Sequence, residues 1–135
     1  MEKLIQNIVD QADYYLKHAG EFFPFGAVIT KTGEIRPVSV LLDHERPDAA
    51  EVLDGLLKQL SSGLAAGDYL AVGIGLQVLL QHTHVEPRVE GGICTALEIR
   101  VSDSVTKPFR VMALPYVQEE TGRVIFEEFL RVKES

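Results

Sequence analysis

The 135-residue chain has one cysteine, Cys94, so no disulfide can close within it. That excludes a small scaffold stapled by disulfides and makes the cytoplasm the expected setting. It also lacks any basic run. Thirteen Lys and Arg are scattered among twenty Asp and Glu, for a formal charge of −7. Nucleic acids are held largely by clustered Lys and Arg on phosphates, so no nucleic-acid partner is expected. The same acidic balance disfavours anionic membrane surfaces. No apolar stretch reaches the ~20 residues that a membrane-spanning helix needs. The longest apolar-rich run, Tyr69 to Leu80, is interrupted by Gly73, Gly75 and Gln77. Met1-Glu2-Lys3-Leu4 passes directly into an amphipathic pattern, unlike the basic and then apolar start of a secretory leader. Gly73 and Gly75 are followed by neither a further glycine nor a Lys-Ser/Thr pair, which argues against a phosphate loop. No G-x-S-x-G elbow, internal repeat, linker or low-complexity segment occurs. No cofactor is expected from these motifs.

What is present suits one α+β domain spanning residues 1–135, with 46% hydrophobic and 24% charged residues. Residues 3–18 carry Leu4, Ile5, Ile8, Val9, Ala12, Tyr15 and Leu16 at helical spacing, and Gly20 stands where a C-cap belongs. Phe22-Phe23-Pro24-Phe25-Gly26 follows and breaks the helix, because Pro24 disfavours helical geometry at Phe23. Two strands over 28–30 and 34–40 flank a turn at Lys31-Thr32-Gly33. Pro37 has no N–H to donate, which puts the second strand at a sheet edge or bulges it at that point. A second helix begins after Pro47, with Asp48 as N-cap and Glu51 three residues on. Its buried stripe is Ala49, Val52, Leu53, Leu56, Leu57 and Leu60.

Tyr69 to Gln81 reads as a long strand with little alternation, hence central to the sheet or facing a partner subunit. Gly73 and Gly75 share one face and leave room for a helix to approach. Residues 82–92 read as a loop. Ile93–Val101, Phe109–Val117 and Val124–Val132 read as three more strands. The last slips register at Glu127-Glu128, since Phe126 and Phe129 are three apart, which reads as a bulge or a short terminal helical turn. The order α-β-β-α-β-β-β-β predicts one mainly antiparallel sheet with both helices on one face.

The chemistry-bearing candidates are few. His82 and His84 project to one side of an extended chain and make a candidate metal pair, with Glu86, His44 or Asp43 as further ligands. Asp43-His44-Glu45-Arg46 places a histidine beside carboxylates, a general-base pattern without a nucleophile motif near it. Cys94 has no neighbouring base that would lower its pKa and reads as a small core residue. Phe22, Phe23 and Phe25, with Tyr69 and Tyr116, form the candidate interaction surface.

Phe23-Pro24-Phe25-Gly26-Ala27, Gly33-Glu34-Ile35-Arg36, Ala96 to Val101, Leu114-Pro115-Tyr116 and Gly122-Arg123-Val124-Ile125-Phe126 resemble segments of a family of small bacterial proteins of unknown function. The resemblance implies a bacterial, cytoplasmic, single-domain protein and carries no catalytic residues. The order of elements is more distantly similar to roadblock and profilin-like modules, from which it departs by lacking their final helix. The leading functional expectation is a non-enzymatic binding or interaction module, immunity-like in one version, acting as a homodimer or on a protein partner. The alternatives are a small metal-dependent enzyme using His82 and His84, and a small-ligand binder with its pocket between Phe22–Phe25 and a helix.

Overall fold

The structure is a computed structural model, and residues 1–39, 48–81, 85–86, 93–127 and 130–132 are described. Among them are helices α1 (Glu2–Ala19) and α2 (Ala49–Ala65), and strands β1 (Phe25–Thr30), β2 (Ile35–Val38), β3 (Tyr69–Gln81), β4 (Val85–Glu86), β5 (Ile93–Ser102), β6 (Arg110–Gln118), β7 (Val124–Phe126) and β8 (Leu130–Val132). The α+β class and the expected order of elements hold. Two details are new. The segment read as a loop contains the two-residue β4, and the last predicted strand is divided into β7 and β8. The break falls where the hydrophobic register slips. β7 pairs with Tyr116–Gln118 and β8 with Met112–Ala113, both on β6.

The strand order is β2-β1-β3-β5-β6-β8-β4, with β7 beside β6, and every pairing is antiparallel. Gln81 and Val85 are only four residues apart, so their Cα atoms lie within about 14 Å. Along the sheet, four spacings of about 4.8 Å separate their strands. The sheet must therefore curl to bring its far edge back toward the end of β3.

The expectation that both helices share one face is corrected by side-chain alternation. Along β3, Ala71 packs with Leu4, Ile8 and Ala12 of α1, whereas Val72 and Ile74 pack with Val52, Leu56 and Leu60 of α2. Successive strand residues face opposite sides, so the helices flank opposite faces. Phe25 and Ala27 of β1 join the α1 side, with Leu97, Ile99, Val101 and Leu114, and Val28 joins the α2 side. This is why Tyr69–Leu80 reads as doubly apolar: a helix covers each face of its first half.

Glycines set how near each helix comes. A Cβ on Gly73 would lie 2.6 Å from Ile8 Cδ1, and one on Gly75 would lie 2.6 Å from Phe25 Cζ and 2.8 Å from Ile8 Cγ2. On the other face, a Cβ on Gly26 would meet Leu56 and Leu60 at 3.3 Å. The expected close approach of a helix at Gly73 and Gly75 is thus made by α1.

Local signals end the helices as their residues dictate. Asp48 Oδ1 accepts from the Glu51 backbone N–H at 2.8 Å, capping α2. Gly20 closes α1 in the left-handed region, at φ 76°, with its N–H on Leu16 O. The Leu16 carbonyl also accepts from Gln118 Nε2 at 2.8 Å, tying the helix end to β6. Pro37 lies on β2, the edge strand, as expected.

Candidate functional site

Pro24 is buried and is the last residue before β1. Upstream of it the chain leaves the sheet. The β1–β3 ladder ends at Phe25↔Gly75, while the β3–β5 ladder continues from Leu76↔Glu98 to Gln81↔Ile93. The second half of β3 therefore outruns its neighbour. A cleft of about 290 Å³ opens at this departure. Glu21, Phe22, Phe23 and Pro24 form one wall, Ala49, Ala50 and Leu53 of α2 form the other, and Leu76 and Gln77 of β3 form the floor.

The three phenylalanines divide between two jobs. Phe25 is 4% exposed and belongs to the core, which removes it from the candidate surface. Its ring sits edge-on to Tyr15, at 5.3 Å between centroids, and to Phe22, at 5.5 Å. Phe22 is half-buried and bridges this cluster to the cleft. Phe23 is turned outward and 60% exposed. Pro24, the next residue, is buried.

Of the two tyrosines, Tyr116 leaves the candidate surface and Tyr69 stays half-buried at it. Tyr69 packs over Gly63 of α2. Tyr116 is 7% exposed, edge-on to Phe126 at 5.8 Å. Its hydroxyl accepts from Gln77 Nε2 at 2.6 Å. Burial pushes the Tyr116 hydroxyl above 10.0, its ordinary value, and the Gln77 hydrogen bond opposes part of that rise. The side-chain amide on the cleft floor is thus held by a core phenol two strands away.

Of the described side chains that line the cleft, only Glu21 and Gln77 are polar. Glu21 is exposed, and Gln77 already donates to Tyr116. Among the described lining residues Glu21 is the only ionisable side chain, and no base–nucleophile pair is present.

His82, His84, His44 and Asp43 lie outside the described residues. Cys94 stands in β5 opposite Leu80. Among the described residues no three His, Cys, Asp or Glu gather as metal ligands. No described helix is long and apolar enough to cross a membrane.

Phe22 and Phe23 were singled out by residue type alone. Leu53, Leu76 and Gln77 were not, although a signal for them existed. The predicted first strand is much shorter than the predicted third, so part of the third had to run past it. Compared with protein-family models, with curated proteins and with solved structures, the chain gives no match, and the cleft's residues alone carry the functional reading.

Proposed function

We propose that this chain is a non-enzymatic binding module and that its binding site is the cleft between Phe22–Pro24, the start of α2, and Leu76–Gln77. The observation that carries the reading is the exposed Phe23 side chain, which lines an apolar cleft with Ala49, Ala50 and Leu53 of α2. A solvent-facing aromatic beside a concave apolar surface is the usual composition of a recognition site. The polar groups there suit orientation of a bound molecule, and they hold no reactive pair. A bacterial, cytoplasmic setting belongs to the same proposal and rests on the single cysteine and the Phe23–Ala27 segment.

A homodimer was expected because β3 is apolar on both faces. Helices α1 and α2 account for that pattern within one chain, so the pattern itself no longer calls for a second subunit.

A thermal-shift screen with small apolar and aromatic compounds tests the reading. A ligand at a hundredfold excess over its Kd stabilises the native state by about 2.7 kcal/mol. At this chain length that raises the midpoint by several degrees. Phe23→Asp and Leu53→Asp should each abolish the shift while leaving the unliganded melting transition cooperative. A shift that survives both substitutions removes the cleft as the site.

A further inference from the structure

The β-ladders show which backbone groups face the cleft. Thr30 donates to Glu34 O and accepts from Gly33 N, both at 2.8 Å, so its main-chain groups point toward β2. Main-chain direction alternates along a strand. Val28 and Gly26 therefore also point toward β2, while Phe25 and Ala27 point toward β3. Their partners Gly75 and Gly73 point back toward β1. By the same alternation Gln77 and Leu79 direct their N–H and C=O groups to the β1 side, beyond the last β1 residue. Among the described residues no strand pairs with them there. Leu79 is 70% exposed.

A strand edge left open among the described residues, at the floor of an apolar cleft, has the form of a site for strand addition. We infer that the cleft takes an extended segment of another protein, which adds to the sheet beside Gln77 and Leu79 in line with β1. This rests on the cleft being the binding site and names its partner. The segment's chemistry follows from the walls. Alternate apolar side chains would meet Phe23 and Leu53, and a basic residue would meet Glu21, the only charged side chain among the described lining residues. A second copy of the chain fits less well, since two partners at −7 repel each other.

This edge differs from the outer edge of β2. On β2, Pro37 occupies a position whose main chain faces outward, so the sheet margin there lacks a donor. Neither Gln77 nor Leu79 has such a block.

The test uses a short labelled peptide of alternating valine and threonine with a lysine at each end. A second peptide has the same side chains with alternate amides N-methylated on the edge-pairing side. Fluorescence anisotropy should show the first peptide binding and the second weakened by about tenfold or more, since each lost amide bond costs a few-fold in affinity. Hydrogen exchange of the Gln77 and Leu79 amides should be fast in the free chain and slowed by the first peptide. Leu79→Pro should abolish binding while keeping the β3–β5 ladder, because residue 79 directs its N–H away from β5. If Leu79→Pro unfolds the chain, the peptide pair still decides the question.

Equal binding of both peptides, lost on Phe23→Asp, overturns strand addition and leaves the cleft as the site. Absence of binding by either peptide up to its solubility limit overturns the inference. If the small apolar compounds also give no thermal shift, the cleft reading falls with it. Protection of the two amides in the free chain overturns the inference as well. Protection that grows with protein concentration assigns the edge to a second copy instead.

Discussion

At the residue scale, the contacts of two glycines and one tyrosine make separable predictions. Gly73→Ala brings a methyl against Ile8 Cδ1, the mobile end of that side chain. Such overpacking costs about 1–3 kcal/mol. Ile8→Val removes the offending atom at a cost of about 0.5–1.5 kcal/mol by itself. The double variant should therefore be more stable than the two single costs predict, a coupling that chemical denaturation measures. Gly75→Ala meets Ile8 Cγ2, which valine keeps, so Ile8→Val should not rescue it. Rescue of both would mean that α1 shifts as a body rather than yielding at one atom. Tyr116→Phe tests the bond to the cleft floor. It should cost about 0.5–1.5 kcal/mol, because Gln77 stays accessible to water and is not stranded. The pH dependence has a definite sign. Burial holds the Tyr116 hydroxyl above 10.0, so the folded state keeps its proton where the unfolded chain releases it. That contribution is fully present below pH 10.0 and is lost as pH rises through the folded-state value. Alkaline unfolding of Tyr116→Phe should have a shallower pH dependence than that of the native chain.

At the scale of elements, much was legible and the reasons are local. Periodicity and caps defined α1 and α2, and Asp48→Ala should cost about 1 kcal/mol in an equilibrium unfolding experiment. The positions of Gly20 and Pro37 also followed from φ freedom and a missing donor. The faces of the helices did not follow, because that depends on which residues of β3 each helix meets. Val72 and Ala71 are equally apolar, and nothing in their order tells which belongs to α1. The division of the last strand was visible only as a slip at Glu127-Glu128. The edge strand β2 carries its own prediction. Pro37→Val restores an outward donor and should give concentration-dependent association by analytical ultracentrifugation, with the native chain unchanged over the same range. Equal behaviour of the two would show that the β2 edge is protected by something other than Pro37.

At the scale of the whole molecule, the sheet is sandwiched at β1 and β3 and curls beyond them. The cleft exists because three things meet there: β1 stops at Pro24, β3 continues, and α2 begins on the opposite face from α1. Each piece was present in the sequence as a separate signal, but their meeting is a long-range event. The sequence drew attention to Phe22–Phe25 as a group, and folding uses Phe25 for the core and Phe23 for the surface. Gln77 illustrates the rest. It looks like a polar interruption in an apolar strand, and its reason is Tyr116, 39 residues away. Binding at the cleft is the claim on which the other functional assignments depend. Chemical-shift mapping of the 15N-labelled chain with small aromatic fragments tests this most directly. The largest perturbations should fall on Glu21, Phe23, Ala50, Leu53, Leu76 and Gln77. Perturbations gathered instead on the outer face of α1, around Tyr14 and His18, would contradict it.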